Sequence, residues 1–493
     1  MTTKFAAGLV WFRRDLRLTD NAALSLALQN CRQVHCVFIF DRTILDPLPR
    51  SDRRVEFIHK SLLELDTSLR QFSHGGQGGL IVLHAVAQTE IVLLAEQLHV
   101  QAVFAAHDYE PLAIARDQHV RENLALLGIT LQTCKDHVIF EKREILTQAG
   151  TPFGVFTPYK NAWLARLTPA HCQTHPTDLC QARLAAKPAA FRHAIPTLNE
   201  IGFASSNLST LNLPTGMSGA AKLFENFFQR MDQYHETRNF PSLKGPSYLG
   251  IHLRFGTLSI RQLVACAWQR QIAGCPGAAV WLSELIWRDF YFSILSNYPH
   301  VTNHAFKPAY DAIEWEQGVH AQSLFHAWCN AATGYPLVDA AMLQLNQTGY
   351  MHNRLRMVAG SFLVKDLGLN WRWGEHYFAQ HLNDFELASN NGGWQWVSSS
   401  GCDAQPYFRI FNPITQSENF DPQGKFIRRY LPQLTNLTNQ SIHAPWLTKP
   451  LELQQAGILL GRDYPLPVVA HDIARRQTLQ RYAVVKKTSG AID

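Results

Sequence analysis

The chain has 493 residues, of which 46% are hydrophobic and 17% charged, so it can form large cores and is not expected to be disordered. A formal net charge of +6 favours a polyanionic partner. The nine cysteines contain no pair spaced as in a zinc ribbon, which argues against a structural metal site and against a disulfide framework. No apolar run is long enough to span a bilayer and no secretory leader is seen, so a cytoplasmic, non-membrane protein is expected.

The first part of the chain alternates short apolar runs with amphipathic segments. Helical periodicity is clear in Arg53–Leu69 and Gln88–Leu98. Strands that alternate with helices predict an α/β domain over residues 1–140, with a doubly wound parallel sheet covered on both faces. No Gly-x-Gly-x-x-Gly fingerprint is present, so a nicotinamide cofactor is not indicated. The predicted strands are Gly8–Phe12, Val34–Phe40, Gly79–His84, Ala102–Ala105 and Ile129–Thr133.

Beyond the predicted sheet, the sequence pattern changes. Residues 141–219 are rich in Ala, Pro, Thr and Ser, which is typical of a connector between domains. Residues 220–482 show helical periods without strand patterns and predict an all-α domain, which a short polar tail, 483–493, follows. Most of the twelve tryptophans lie at or beyond Trp163. They indicate either stacking surfaces for a planar ligand or ordinary core packing.

The segment Trp281–Phe292 combines charge with aromatic residues on a helix. Trp281, Glu284 and Arg288 are spaced i, i+3 and i+7, so they share one face. This arrangement suits a buried ion pair. It suits equally well a site that contacts both a nucleobase and a cofactor.

A second helical segment, Gly349–Asp366, carries polar groups on a stripe that would be a poor core face. Asn353, Arg356, Met357 and Gly360 fall on this stripe. An amide and a guanidinium beside Met and Gly form a suitable wall for a flat ligand with hydrogen-bonding edges. Arg354 points to the side of the stripe, where it could contact phosphate.

A third segment, Asp384–Gln416, concentrates acids, amides, glycines and tryptophans. Asn390 and Asn391 are followed by two glycines, and this run is expected to break the preceding helix. Trp394 and Trp396 come next, and Arg409 lies among further aromatic residues. This composition indicates a site for a planar heterocycle.

Seven segments together resemble the photolyase and cryptochrome family. They occur in the family's order between Val10 and Gln416, so the set is highly specific. The chain is similar to the bacterial class I branch, which repairs cyclobutane pyrimidine dimers. The segments are Val10–Leu24, Phe156–Leu164, Leu253–Ser259, Glu284–Tyr291, Thr333–Met342, His352–Met357 and Asn390–Trp396.

The resemblance implies that the helical domain binds FAD in a U-shaped conformation. Asn390 matches the residue that faces flavin N5, and Glu386 replaces an Asp of the family. The family usually has Thr-Ser-Arg-Leu-Ser at the FAD phosphates, where this chain has Pro-Ser-Tyr-Leu-Gly over residues 246–250. The residues that match FAD-binding positions are Tyr234, Ser247, Leu249, Trp281, Glu284, Arg288, Asn353, Arg356, Asp384, Glu386 and Asn390.

The resemblance also implies a substrate, namely DNA that contains cyclobutane pyrimidine dimers. Glu284 matches the acid that contacts the base edge of the dimer, Trp287 the aromatic residue that packs on the flipped-out pyrimidines, and Met357 an apolar contact. With Asn390, these three residues form the implied catalytic set. Tyr350 stands where many relatives have a second Trp, and it keeps an aromatic plane. The implied DNA-binding residues are Arg238, Trp287, Tyr350, Arg354 and Arg409.

In the implied reaction, excited, fully reduced FAD (FADH⁻) donates an electron to the dimer, the dimer splits, and the electron returns. Trp315, Trp371 and Trp394 match the family's tryptophan chain, which re-reduces the flavin. The alternative is that these three residues serve as core or rim aromatics. The resemblance implies no metal, and a monomer is expected.

A light-harvesting antenna is the least determined part of the resemblance. Glu110 matches an acid that binds the antenna in some relatives, and it could equally be a solvated carboxylate at a helix start. Asn303 stands where a folate-type site often has Lys. The leading candidate is 5,10-methenyltetrahydrofolate, followed by a deazaflavin or no antenna.

Two other functions share this fold and cofactor. A cryptochrome-type blue-light photoreceptor tends to carry Asp or Cys at the N5-facing position and often adds a long C-terminal tail. Asn390 and the short tail of this chain favour repair. A (6-4) photolyase relies on a pair of active-site histidines, and no such histidine lies on the stripe formed by Asn353 and Met357.

Overall fold

In a computed structural model, which describes residues 3–485 except the side chains of residues 74 and 179–181, the five predicted strands form one parallel sheet. The strand order is β3-β2-β1-β4-β5, so the chain adds strands to one side of β1 and then to the other, which confirms the doubly wound α/β prediction. The strands are β1 Phe5–Phe12, β2 Cys31–Asp41, β3 Leu80–Ala85, β4 Ala102–Ala106 and β5 Thr130–Cys134.

Alternating side chains of the sheet fill two cores. Val10 and Phe12 of β1 belong to one core, and Leu9 and Trp11 of the same strand belong to the other. Because successive side chains of a strand point to opposite faces, a strand buried on both faces is apolar throughout. Helices α1 and α3 contribute to the first core, and α4 and α5 to the second. These helices, with the short α2, are α1 Ala22–Asn30, α2 Arg42–Leu45, α3 Arg53–Phe72, α4 Ala87–Gln97 and α5 Pro111–Leu126.

The C-terminal region of the described chain is helical, as predicted. No helix in residues 3–485 is long and apolar enough to cross a membrane. The helices are α6 Phe156–Arg166, α7 Gly216–Phe228, α8 Tyr234–Thr237, α9 Gly250–Phe255, α10 Ile260–Ile272, α11 Pro276–Asn297, α12 Gly318–Cys329, α13 Pro336–Thr348, α14 Asn353–Ser361, α15 Trp371–His381, α16 Leu387–Val397, α17 Pro413–Phe420, α18 Lys425–Tyr430, α19 Pro450–Ala456 and α20 His471–Arg481.

The chain divides into two compact units. The first contains the described residues up to 146, together with 160–231 and 247–296. The second contains 147–159, 232–246 and the described residues from 297 onward. The sequence-based boundaries of the connector, 141–219, and of the helical domain, 220–482, remain a prediction. Of the predicted tail, 483–493, residues from 486 onward lie outside the described residues.

One expectation about local structure is wrong. The Asn-Asn-Gly-Gly run, residues 390–393, does not break a helix but lies inside α16. The side-chain amide of Asn390 donates to the main-chain oxygen of Glu375, and that of Asn391 donates to Val301 O and Glu375 Oε1. Because these amides bind to other segments, they do not compete for the backbone of their own helix.

A buried ion cluster in the first unit joins segments that are distant in sequence. Asp136 accepts hydrogen bonds from Arg17 at 2.7 Å and from Arg261 at 2.9 Å, and Arg261 also pairs with Asp20. The Asp136 side chain is 1% exposed. Removing one member would therefore leave uncompensated charge in an environment of low polarity.

We predict that Asp136→Asn lowers the free energy of unfolding of the first unit by about 3–5 kcal/mol, the usual cost of breaking a buried ion pair. The matched control is Asp46→Asn. Asp46 pairs with Arg42 at 3.5 Å, and both side chains are at least half exposed. The control should change stability by less than about 1 kcal/mol. Urea unfolding of the three proteins measures the difference, and equal effects of the two substitutions would contradict the prediction.

Candidate functional site

Helix α11 of the first unit presents the residues predicted to contact a base and a cofactor. Trp281 is 3% exposed and packs against Phe227 and Phe224, with ring centroids 4.8 and 6.2 Å apart. The Arg288 guanidinium donates to main-chain oxygens of His137 and Leu253. Helix α11 therefore carries a buried tryptophan packed against two phenylalanines and an arginine whose guanidinium is bound by main-chain oxygens.

Asp289 fixes the rotation of α11. Its Oδ2 accepts hydrogen bonds from the main-chain N–H groups of Ile139 and Phe140 and from Trp163 Nε1, at 3.0–3.2 Å. Burial raises the pKa of this carboxyl to about 6, against the opposing effect of Arg288 and these hydrogen bonds. With Asp289 turned inward, Glu284 and Trp287 are left partly exposed on the same helix.

In the second unit the structure brings Arg356 and Asp384 together. Arg356 Nη2 donates to both carboxylate oxygens of Asp384, at 3.0 and 2.9 Å, and its Nε donates to Met351 O. The preceding residue, Asn383, is bonded to Thr348 O through its side chain. The ion pair is therefore held between the N-terminus of α14 and the segment before α16. Glu386, at the N-cap of α16, is buried, whereas Asn353 is exposed at the start of α14.

Asn390 is positioned by a residue that the sequence did not reveal. Its Nδ2 donates to the main-chain oxygen of Glu375 at 3.0 Å, which leaves its side-chain oxygen as an acceptor. The Glu375 carboxylate accepts from Asn391 Nδ2 at 2.8 Å. Burial raises the pKa of Glu375 to about 7, although the bond from Asn391 opposes this effect. Glu375 of α15 and Asn390 of α16 are fifteen residues apart in the sequence, and no periodicity indicates this contact.

Two of the arginines predicted to bind phosphate lie next to each other in the second unit. Burial and the guanidiniums of Arg354, Arg356 and Arg238 lower the pKa of His352 to about 4. Arg354 donates to Asn239 Oδ1 at 2.9 Å and lies 4.3 Å from the centre of the Phe420 ring. A neutral histidine thus sits among three cations, and this concentration of positive charge suits an anionic partner.

The other predicted DNA contacts lie on separate elements. Arg409 is exposed after a turn closed by its main-chain N–H, which donates to Pro406 O at 2.9 Å. Tyr350 and Met357, before and within α14, are half-buried. On α11 the Trp287 ring packs against Tyr291, with ring centroids 5.4 Å apart.

The three predicted electron-chain tryptophans share one hydrophobic core in the second unit. Trp371 and Trp394 are each 3% exposed, and Trp315 is half-buried and packs against the same core. The Trp394 ring also occupies space left by a glycine inside a helix, Gly374 of α15. A Cβ on Gly374 of α15 would lie 2.1 Å from this ring, and a Cβ on Gly360 of α14 would lie 3.5 Å from it. A glycine within an aromatic helical segment is the sequence signal for such close packing.

The segment predicted to hold the FAD phosphates forms a tight turn before α9. Ser247 Oγ accepts from the main-chain N–H of Leu249 at 3.4 Å, and Tyr248 adopts a positive φ of 60°. Leu249 is buried, as is Tyr234 in the second unit. The Arg238 guanidinium lies 5.5 Å from the Tyr234 ring centre. Gly245 is required here because a Cβ would lie 2.6 Å from Thr237 O.

Glu110, the predicted antenna residue, is not a solvated carboxylate. It is the N-cap residue of α5, and its Oε1 pairs with Arg254 at 2.9 Å and with Arg14 at 3.2 Å. Asn303 is exposed. Across the described part of the chain, no group of three His, Cys, Asp or Glu residues could hold a metal ion.

Comparison with known proteins independently supports the resemblance to the photolyase family. The family described as DNA photolyase matches residues 8–179, and the FAD binding domain of DNA photolyase matches residues 281–484. The deoxyribodipyrimidine photo-lyase of Escherichia coli is 39% identical, with 97% of this chain and 99% of that protein covered. The enzyme of the same name from Vibrio cholerae is 38% identical with the same coverage. Among solved structures, a class III photolyase from Agrobacterium tumefaciens is 33% identical and superposes with a TM-score of 0.88 over 99% of both chains.

We predict that Gly374→Ala destabilises the second unit by about 1–3 kcal/mol, because overpacking against Trp394 outweighs the gain in helix propensity. Gly393→Ala is the matched control, since Gly393 lies inside α16 beside Trp394 and a Cβ there would meet nothing within 4 Å. The control should be stabilising by up to about 1 kcal/mol. Thermal or urea unfolding tests this, and Gly374→Ala as stable as Gly393→Ala would show that the Trp394 ring does not need the space.

Proposed function

Because the chain belongs to the DNA photolyase family, we propose that it is a deoxyribodipyrimidine photo-lyase that repairs cyclobutane pyrimidine dimers in DNA with light. The observation that carries the proposal is similarity over nearly the whole chain to enzymes of that name, at 38–39% identity. The match to the FAD binding domain begins at residue 281, so it includes the proposed lesion contacts on α11 as well as α14 and α16.

The polar groups of the second unit fit a flavin. The Arg356–Asp384 pair offers a charged edge to the heterocycle, and Asn390 keeps an acceptor oxygen for an N–H of the ring. For Ser247, Leu249, Trp281 and Arg288 the resemblance alone supports assignment to the cofactor. When bound and fully reduced, FAD supplies the photoexcited electron that opens the cyclobutane ring and takes it back.

The residues of the chain bind and orient the DNA. Glu284 donates or accepts a hydrogen bond at the base edge of a flipped-out dimer, and Trp287 stacks on the pyrimidines. Arg238, Arg354 and Arg409 hold the flanking phosphates, while Tyr350 and Met357 add apolar contact. Support for this division comes from the chemistry of the side chains and from the clustering of Arg238 with Arg354 around His352.

Several finer points belong to the same proposal. The protein acts as a cytoplasmic monomer. Its antenna is 5,10-methenyltetrahydrofolate, with a deazaflavin or no antenna as the alternatives, and Glu110 is the antenna ligand. Against this last assignment stand the ion pairs of Glu110 with Arg254 and Arg14, which an antenna would have to share.

The overall function is tested by repair in the light. Purified protein with reduced FAD should convert thymine dimers in an oligonucleotide to thymines under blue light and not in the dark. High-performance liquid chromatography of the digested oligonucleotide measures the conversion. Absorption bands of a flavin, with or without a further near-ultraviolet band, identify the bound chromophores. Light-independent loss of dimers, or none at all, would overturn the proposal.

We predict that Glu284→Ala lowers the number of dimers repaired per absorbed photon while FAD remains bound. Loss of one positioned stabiliser costs up to about 3–4 kcal/mol in comparable reactions, and competing return of the electron makes the effect smaller here. Glu284→Gln, which keeps a hydrogen-bonding group, should retain more activity than Glu284→Ala. The measurements are the quantum yield of repair and the flavin absorbance, and an unchanged yield in Glu284→Ala would remove the residue from the mechanism.

We predict that Arg354→Ala weakens binding to damaged and undamaged DNA alike and reduces the salt dependence by about one phosphate contact. Trp287→Ala should instead reduce the preference for damaged DNA, because it meets the flipped bases. The matched control is Arg462→Ala, since Arg462 is 71% exposed and pairs with its neighbour Asp463. Binding isotherms at several salt concentrations distinguish the variants. An Arg354→Ala protein that loses lesion preference alone would contradict the assignment.

A further inference from the structure

A lysine is buried in the second unit, in the π-helical turn Phe362–Asp366 that follows α14. Lys365 is 1% exposed, and the three residues before it belong to the hydrophobic core. The neighbouring carboxylate, Asp366, is bound by His471 of α20 at 2.6 Å. Burial lowers the pKa of Lys365 to about 7, although Asp366 opposes this effect. The core therefore holds this cation at an energetic cost.

The Lys365 ammonium binds the loop that carries Arg409. Its Nζ donates to the main-chain oxygen of Arg409 at 3.2 Å, and Arg409 itself is exposed. Within the described chain, this bond is the one that joins Arg409 to a segment outside its loop, since its main-chain N–H donates to Pro406 O. Water could satisfy the carbonyl of an exposed residue, so the acceptor does not require a buried cation. The bond is better explained by the position that it gives to the loop.

The other contacts that hold this loop lie before and after Arg409. The Tyr407 ring stacks on the fully buried ring of Tyr482, with centroids 5.8 Å apart. On the other side, Asn412 caps α17 through its side-chain oxygen. Lys365 acts on the main chain between these two contacts. A change at Lys365 should therefore alter the loop at Arg409 and leave both of its ends in place.

We propose that Lys365 is a positioning residue of the DNA-binding surface, because it fixes the main chain at Arg409 and so presents that guanidinium to a DNA phosphate. This inference rests on the proposed function, in which Arg409 binds a phosphate that flanks the dimer. A loop that is already held loses less conformational freedom when its arginine binds. Lys365 thus raises the affinity for DNA without contacting it, and it raises the affinity for damaged and undamaged DNA alike.

The test compares Lys365→Met, Arg409→Ala and the double variant. Met has nearly the length of Lys and suits the apolar surroundings, but it cannot donate a hydrogen bond. FAD-loaded protein is titrated in the dark with a duplex oligonucleotide that contains a thymine dimer and with an undamaged duplex, at several salt concentrations. Each single variant should weaken binding to both duplexes and reduce the salt dependence by up to about one phosphate contact. The double variant should bind within about twofold of Arg409→Ala, because Lys365 acts through Arg409.

Lys187→Met is the matched control. Lys187 of the first unit is 6% exposed, and its ammonium likewise donates to a main-chain oxygen, that of His193, at 3.4 Å. It belongs to neither the proposed flavin site nor the proposed DNA contacts, so this substitution should leave both binding isotherms unchanged. Urea unfolding and flavin absorbance verify that each variant is folded and loaded with FAD.

A second measurement follows the loop in the absence of DNA. Hydrogen–deuterium exchange of peptides that cover residues 404–412 should be faster in Lys365→Met than in the unaltered protein, whereas peptides of α12 should exchange as before. Lys365→Arg keeps a charged donor, so it should restore both the protection of the loop and the affinity for DNA.

The outcomes separate this inference from the proposed function. If Arg409→Ala binds both duplexes as the unaltered protein does, Arg409 is not a phosphate contact, and the role of Lys365 fails with it. If Arg409→Ala weakens binding and Lys365→Met does not, the phosphate contact stands and the inference about Lys365 is wrong. Additive losses in the double variant, or a Lys365→Arg protein that regains loop protection without regaining affinity, would likewise overturn it.

Discussion

Three helices of the second unit meet on one indole ring. The Trp394 side chain of α16 fills the space beside Gly374 of α15 and Gly360 of α14, where a Cβ would lie 2.1 and 3.5 Å from the ring. Each helix carries part of the candidate site, namely Asn390 on α16, Glu375 on α15 and Arg356 on α14. Because close packing transmits small displacements, the spacing of these polar groups depends on how this ring is seated. Gly374 lowers the helix propensity of α15, and it permits that arrangement because a Cβ there would overlap the ring.

The site also relies on groups kept neutral near concentrated charge. His352 lies among three guanidiniums, and its low pKa means that it adds no fourth positive charge at neutral pH. Arg356 is paired with Asp384, so Arg238 and Arg354 are the two guanidiniums of this group that the proposed function assigns to an anion. Glu375 shows the complementary case, since burial raises its pKa to about 7 beside two asparagine amides. The protonation states of His352 and Glu375 are therefore set by burial, hydrogen bonds and neighbouring charges.

Local patterns in the sequence predicted most of the fold. The central strands β1, β2 and β4 are largely buried on both faces, so their apolar runs were visible without partners. The presence of α11 and α14 followed from helical spacing, whereas the ligand-contacting faces predicted on them remain predictions. The break expected at residues 390–393 was wrong because tertiary hydrogen bonds of Asn390 and Asn391 override their turn preference. The contact of Glu375 with these amides and the ion pairs of Glu110 with Arg14 and Arg254 join distant segments, and no periodicity encodes such pairs.

Two buried aspartates of the first unit couple folding to protons in opposite directions. The arginines around Asp136 lower its pKa despite burial, so its contribution to stability is present above the unfolded value and is lost on acidification. Asp289 holds its proton up to about pH 6, so its contribution is complete below the unfolded value near 4 and is lost as the pH rises through 6. At neutral pH the folded state is less stable by about 3 kcal/mol than it would be if Asp289 kept its unfolded pKa. Together, the two carboxyl groups stabilise the first unit most near pH 4. At neutral pH Asp289 still orients α11, but its ionised carboxylate lowers the free energy of unfolding.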